Sequence, residues 1–270
     1  MSHLLELSGV SIRFGGVQAV KDVDFHADLG EIVGVIGPNG AGKTTLFNIV
    51  TGFYAPDEGT MTFDGANIAG LKPNALTRLG MARTFQSVRL FNAMTVLENA
   101  MVGQHTRTKA GLTGALLKGK ATINEEERIT AKARDALGFF GNRLLPRQHQ
   151  LASSMAYADR RRLEIARAMA TEPKLLLLDE PAAGMNPAEK EQLIEQVGRL
   201  RDERGYSIVL IEHDMPVIKS VSDRVVALDH GIKIAEGTYD QVASNQQVIE
   251  AYLGKAGENA RQEMDGEAGL

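Results

Sequence analysis

The sequence predicts an α/β fold built on a parallel sheet covered by helices and entered through a β-rich first third. Three observations predict it. Short β-type runs, LLELSGVSIRF, VKDVDFHAD, EIVGVIG and TMTFDG, alternate with turn signals before the long helical patterns begin. From Leu151 the pattern becomes helix, apolar strand, helix, apolar strand, in LEIARAMA, KLLLLDE, EKEQLIEQVGRLRDE and SIVLIEHD. Those strands are apolar throughout, as strands of a parallel sheet covered on both faces are.

The elements follow in order. Asp28-Leu29-Gly30 and Asp64-Gly65 separate the early β-runs as turn residues do. Helical signals come next. Thr95 and Glu98 have the spacing of a capping box, in which each side chain satisfies an orphan amide. Asn124 to Glu127 can cap a further helix, with Ile129, Ala133, Ala136, Leu137 and Phe140 along one face. The Gly/Thr/Lys mixture between Gly103 and Gly119 predicts a flexible excursion. The polar tail over 255–270 is expected to fray.

Composition narrows the classes. Of 270 residues, 43% are hydrophobic, ample for a packed core. A net charge of -4 argues against a general nucleic-acid binder, so no nucleic-acid partner is expected. The absence of cysteine excludes disulfides and thiolate metal sites and is simplest in a reducing compartment. The opening MSHLLELSGV lacks the pattern of a signal peptide. The run Leu175 to Leu178 is far short of the ~20 apolar residues that cross a bilayer, so membrane contact is expected to be peripheral.

The stretch GPNGAGKTT, Gly37 to Thr45, fits G-x-x-x-x-G-K-[ST] between a strand-like EIVGVI and a helix-like TLFNIVTG. Gly37, Gly40 and Gly42 let backbone amides turn inward around phosphate oxygens, and Lys43 adds a point charge. Thr44 offers a hydroxyl to Mg2+. A plain glycine-rich turn would not require a lysine followed by two threonines. Asp179 ends the apolar strand LLLLD, the place where α/β folds bind ligands, and can serve the metal. Glu180 follows and, on strand alternation, points to the other side, where it can orient or deprotonate water. His213 ends SIVLIEHD; by position alone, a γ-phosphate contact and a structural role are equally supported.

These residues resemble the nucleotide-binding subunit of ATP-binding-cassette (ABC) transporters, over nearly the whole chain from Leu4 to Gly254. The resemblance implies a P-loop NTPase of ABC type: a mixed-sheet core, an N-terminal antiparallel β subdomain and an inserted α-helical subdomain. On that pattern residues 1–254 form a single cassette, with the helical insertion over roughly 87–172. It implies ATP and Mg2+ as cofactors. Phe14 in IRFGG matches the adenine-stacking aromatic. Gly37, Pro38, Asn39, Gly40, Ala41, Gly42, Lys43, Thr44 and Thr45 match the phosphate loop. Gln86 in ARTFQ matches the glutamine loop, which touches Mg2+ alongside Thr44 and Asp179. PAAGMNP, Pro181 to Pro187, matches the loop that communicates across the dimer. Glu180, His213 and Lys43 match the catalytic set, His213 as the switch histidine.

Within the family the chain is similar to ATPases of branched-chain amino acid importers, through ARTFQSVRLFNAMTVLENAMVGQ, RRLEIARAMATEPKLLLLDEPAAGMNP, IEHDM and VIEAYLG. That likeness implies two membrane permease subunits, contacted around Gln86 to Asn99, and a second, related ATPase. It also implies a periplasmic solute-binding protein and a peripheral place on the cytoplasmic face of the bacterial inner membrane. The alternative is a soluble or regulatory cassette not tied to transport; the intact Lys43, Asp179, Glu180 and His213 argue against a nonhydrolytic one.

One segment departs from the family. MAYADR, Met155 to Arg160, occupies the signature position, which contacts ATP on the opposite subunit and in most members reads close to L-S-G-G-Q. Ser154 precedes it; Ala156 stands for the serine, Tyr157 and Ala158 for the glycines and Asp159 for the glutamine. If the second glycine position needs a left-handed backbone, Ala158 costs roughly 1–2 kcal/mol. If Asp159 faced the γ-phosphate at ~5 Å, repulsion at an effective dielectric of ~20 would reach roughly 3 kcal/mol. That would weaken closure on the order of a hundredfold. A gentler arrangement has Asp159 capping the helix or paired with Arg160 to Arg162. With the signature degenerate, a heterodimer with the second ATPase is expected over a homodimer, with one competent and one slow site.

Overall fold

The computed structural model describes residues 3–107 and 120–253. The expectations for the tail over 255–270 and for most of the excursion between Gly103 and Gly119 lie outside the described residues. The chain divides into two compact units, residues 1–71 with 207–270, and residues 72–206. The insertion expected over 87–172 falls within the second of them.

In the first unit, β1 (Leu5–Phe14) and β2 (Val17–Ala27) form an antiparallel hairpin, with Leu5 opposite Ala27 and Phe14 opposite Val17. β4 (Glu58–Phe63) joins the other side of β1, and β5 (Ala66–Asn67) pairs back on β4. The predicted turn at Asp64-Gly65 is a two-residue hairpin. Both residues have positive φ, 51° and 76°, the backbone that matches strand twist across so short a loop. This is the antiparallel sheet that the β-rich first third announces.

The same unit holds a mixed sheet. β3 (Ile32–Ile36) lies between β8 (Ser207–Ile211) and β9 (Arg224–Asp229), parallel to both, and β10 (Ile232–Gly237) runs antiparallel to β9. Every residue of β3 and of β8 is buried. Their uninterrupted apolar runs are therefore what two covered faces require. Helix α1 (Lys43–Val50) follows β3 after a short loop.

In the second unit, β6 (Met81–Arg83) pairs in parallel with β7 (Leu175–Asp179), Met81 opposite Leu175 and Arg83 opposite Leu177. Helix α2 (Pro73–Leu79) precedes β6. Helix α3 (Val96–Val102) starts with the predicted capping box: Thr95 Oγ1 accepts from Glu98 N, and the Glu98 carboxylate accepts from Thr95 N. Helix α4 (Lys120–Phe139) begins before the cap expected at Asn124, which lies inside it. Once nucleated, a helix extends through one exposed Asn for a few tenths of a kcal/mol, roughly. The expected apolar face is buried at Ala133, Ala136, Leu137 and, just past the helix, Phe140; Ile129 is half-buried. Helix α5 (Tyr157–Met169) packs with α3 and α4, and α6 (Pro187–Arg204) opens on an Asn186–Glu189 capping box. Among the described residues, no helix is long and apolar enough to cross a membrane.

Leu177 sits at the centre of the fully buried β7. Leu177→Ala is expected to cost about 2–5 kcal/mol through lost burial and the residual cavity. Leu177→Met should cost under about 1.5 kcal/mol. Urea unfolding midpoints at unchanged m-value measure both.

Candidate functional site

The glycine-rich loop leaves the C-terminal end of β3. Gly37 has φ 147°, and a Cβ there would meet Leu228 O at 2.1 Å, so only glycine fits. Gly42 has φ 101°, and its Cβ would lie 2.8 Å from Ala19 O. The loop is thus pressed against strand backbone on two sides. Pro38 and Ala41 are buried, whereas Asn39, Gly40 and Thr44 are exposed and Thr45 is half-buried. Lys43 is buried, and its Nζ donates to Gly37 O at 2.6 Å and Pro38 O at 3.0 Å, spanning the loop from within. Leu46 N donates to Gly42 O at 2.8 Å, so the helical ladder starts a turn beyond the loop. The helix end adds partial positive charge there, with no acidic side chain in the first turn to cancel it.

Two neighbours of this loop belong to the C-terminal part of the same unit. Val35 of β3 pairs with Ile211 of β8, so the two strands end at the same edge. His213 lies two residues past that end, exposed, just before Asp214 caps helix α7 (Met215–Val221). The hydroxyl of Tyr252, in a helix over 246–253, accepts the Gly37 amide at 2.9 Å. Burial pushes the Tyr252 phenol above its ordinary pKa, which keeps it neutral. Phe14 is 44% exposed, against the core position a strand phenylalanine would ordinarily take, and meets Tyr54 edge-on at 5.0 Å. Tyr54 carried no motif signal; Tyr252 lies in the VIEAYLG segment without a role that spacing reveals.

In the second unit Asp179 closes β7 and is almost wholly buried. Arg83, from neighbouring β6, donates Nη2 to Asp179 Oδ2 at 2.8 Å, and Thr84 Oγ1 accepts the Asp179 amide at 3.2 Å. Asp179 Oδ1 is buried, with no hydrogen-bond partner among the described residues. A hard cation, or a water bound to one, suits such an oxygen, so this donor fits Mg2+. Glu180 has left the strand with φ 48°, a strained backbone for a residue with a side chain. Strand alternation therefore stops at Asp179, and the argument that placed Glu180 opposite it does not hold. Gln86 Nε2 donates to Glu180 Oε1 at 3.1 Å, bringing together two residues that the sequence separates by 94 positions.

The signature segment is ordered differently from the two penalties reckoned for it. A single turn over Ala152–Ser154, with Ser154 Oγ donating to Leu151 O at 2.8 Å, precedes α5. Ala156 is the N-cap and Tyr157 the first helical residue. Ala158 lies inside the helix and is not among the residues with positive φ, so its left-handed cost does not arise. Asp159 is 3% exposed and ion-paired to Arg147 at 2.8 Å and to Arg162 at 3.0 Å. Its charge is compensated inside the unit. Of the gentler arrangements the pairing is present, through Arg162 and the unforeseen Arg147, while no side chain caps the helix.

Tyr157 and Arg161 tie this helix to two loops. A Cβ on Gly184 would lie 3.0 Å from Tyr157 Cε1, so the ring rests on the PAAGMNP loop. Arg161 donates to Phe85 O at 2.7 Å and also to Gln86 O. Glu164 pairs with Arg161 and accepts the Phe85 and Arg89 amides at 3.4 Å. Burial pushes the Glu164 carboxyl up, against the lowering effect of these donors. The backbone around Gln86 thus hangs on α5.

Comparison with known proteins gives the family. Residues 20–183 match the family described as ABC transporter, and residues 233–258 the family described as branched-chain amino acid ATP-binding cassette transporter. The chain is 46% identical over 253 residues to the high-affinity branched-chain amino acid transport ATP-binding protein LivG of Escherichia coli (strain K12), covering 94% of this chain and 98% of the relative. It is 44% identical over 253 residues to BraF of Pseudomonas aeruginosa, with the same coverage. A crystal structure of a nucleotide-free ATP-binding cassette from an ABC transporter superposes with TM-score 0.81 at 30% identity, covering 93% of this chain and 99% of that one. The ADP conformation of an ATP-binding cassette gives TM-score 0.81 at 30% identity, covering 94% and 100%.

Tyr252→Phe removes the acceptor of the Gly37 amide while keeping the ring. It is expected to lower stability by about 1 kcal/mol, the net worth of one neutral hydrogen bond. Thermal denaturation of the full chain reads the change. Gly37→Ala should be far more damaging, because the clash is with backbone.

Proposed function

The chain belongs to the ABC transporter family as an ATP-binding cassette, and on that premise we propose that it is the ATPase subunit of an importer for branched-chain amino acids or related small polar solutes. One observation carries the site: a glycine-restricted loop, spanned from within by buried Lys43, opens directly into α1. Such a loop presents amides and a helix end to the β- and γ-phosphates of ATP. Phe14, with Tyr54, supplies an exposed aromatic surface for the adenine. Thr44, Asp179 and the Gln86 carbonyl oxygen serve Mg2+, the Gln86 amide nitrogen being engaged by Glu180. Mg2+ supplies charge neutralisation at the phosphates. Glu180 orients and deprotonates the attacking water, and His213 contacts the γ-phosphate. Residues 1–254 act as one cassette, with the helical insertion over roughly 87–172 carrying the surface for the permeases.

The names of LivG and BraF support the solute class. Exposed Phe91 and Met94 support the permease contact around Gln86 to Asn99. That surface is organised by buried Asn99, which bonds Phe91 N and O and Thr95 O. We place the chain peripherally on the cytoplasmic face of the bacterial inner membrane, beside two permeases and a second related ATPase. A periplasmic solute-binding protein delivers the solute. Across such a heterodimer, Ser154, Ala156, Tyr157, Ala158 and Asp159 serve the partner's ATP through helix amides. The charge of Asp159 is held away by its arginines.

Lys43→Ala is expected to remove most ATP binding and turnover; unchanged affinity and hydrolysis would overturn the loop assignment. Glu180→Gln should keep ATP binding and lose at least about a hundredfold in hydrolysis, the weight of a positioned general base. Single-turnover assays separate the two effects. Tagged chain purified from cells that also make the second ATPase should carry it in equal amount, whereas recovery as a homodimer alone would refute the heterodimer.

A further inference from the structure

Asp179 is gripped from one side only. Its Oδ2 accepts from the Arg83 guanidinium at 2.8 Å, its amide donates to Thr84 Oγ1, and its Oδ1 has no hydrogen-bond partner among the described residues. The two charged side chains are 6% and 2% exposed, so solvent neither screens the pair nor offers the carboxylate another donor. Register fixes the grip. Arg83 ends β6 opposite Leu177, two residues before Asp179 on the parallel β7, and Thr84 N continues the pairing onto Leu177 O at 2.9 Å. The guanidinium also lies 5.2 Å from the Phe85 ring centroid, which limits its swing.

We propose that Arg83 is a positioning residue for the metal: by holding Oδ2 it fixes the carboxylate plane and presents Oδ1 to Mg2+ or to a water on it. This rests on the reading of Asp179 as the carboxylate that serves Mg2+. A metal-serving group held by an outer donor keeps its orientation without paying for it on binding, and losing such donors costs roughly 10–100-fold in metal affinity. The opposite effect is also physical, since a guanidinium competes with a cation for the same charge. The two differ in sign. On this proposal Arg83 acts on ATP only through the metal, so ATP affinity without metal should be indifferent to Arg83.

The test uses the full chain with ATP and reads Mn2+ binding by loss of the free-ion electron paramagnetic resonance signal. Metal-free affinity is read with a fluorescent ATP analogue. Arg83→Gln is expected to weaken Mn2+ binding roughly 10–100-fold with metal-free nucleotide affinity unchanged. Arg83→Lys should recover part of the loss, since it restores charge and one donor without the fork. Unchanged or tighter Mn2+ binding in Arg83→Gln overturns the proposal, and so does a parallel fall in metal-free affinity, which marks a merely structural role. If Arg83→Gln does not fold, Arg83→Lys decides: weaker Mn2+ binding supports the proposal, and wild-type binding overturns it. Asp179→Asn separates the two readings. If it binds Mn2+ as the wild type does, the metal role of Asp179 itself is wrong; if it loses Mn2+ while Arg83→Gln keeps it, only the positioning role is.

Discussion

Residues Ile32–Ile36 and Ser207–Ile211 pair as parallel strands without one exposed side chain, and no charged group lies along either. Burial on both faces expels charge to where the strands end. The glycine-rich loop begins one residue after β3, and Glu212 and His213 follow β8 directly, where charged groups first occur. β7 obeys the same constraint in the second unit, apolar through Leu178 and acidic at Asp179 and Glu180. The rest of the chain serves these ends by making the backbone turn sharply there. Gly37 and Gly42 turn against strand carbonyls, and Glu180 accepts a left-handed φ.

Charge in the second unit is managed by pairing. Asp159, Glu164 and Asp179 are all buried, and each meets an arginine: Arg147 and Arg162, Arg161, and Arg83. Ion pairs of this kind add little net stability over apolar packing. Removing one partner, however, typically costs about 3–5 kcal/mol, since the remaining charge is stranded. Their worth here lies in position. Arg161 carries the Phe85 and Gln86 carbonyls, and Arg83 carries the Asp179 carboxylate. The aspartate in the signature therefore acts as one more paired anion within its unit rather than as a bare charge beside a phosphate.

Much of the fold and part of the site were legible beforehand. The wholly apolar β7 and β8, the Thr95–Glu98 capping box and the Asp64-Gly65 turn each depend on residues a few positions apart, and periodicity or spacing reports them directly. Helix starts were less legible: α4 runs from Lys120 because an exposed Asn124 is too weak a signal to stop propagation. The geometry around the acids was not legible. Alternation assumed that Glu180 continues the strand, and its φ of 48° ends that assumption. The energies assigned to Ala158 and Asp159 depended on a backbone angle and a facing direction that no local pattern encodes.

The sequence by itself determined the class of fold, the glycine-rich loop after β3 and the two acids at the end of β7, because each rests on short-range pattern and on chemistry that few residue types can supply. Only the tertiary structure decided which side chains hold them. Arg83 meets Asp179 across 96 positions, Arg161 meets Gln86 across 75, and Tyr252 meets Gly37 across 215. Such pairs follow from strand register and helix packing. A one-residue slip in the pairing of β6 with β7 would turn Arg83 to the other face while leaving every local pattern unchanged.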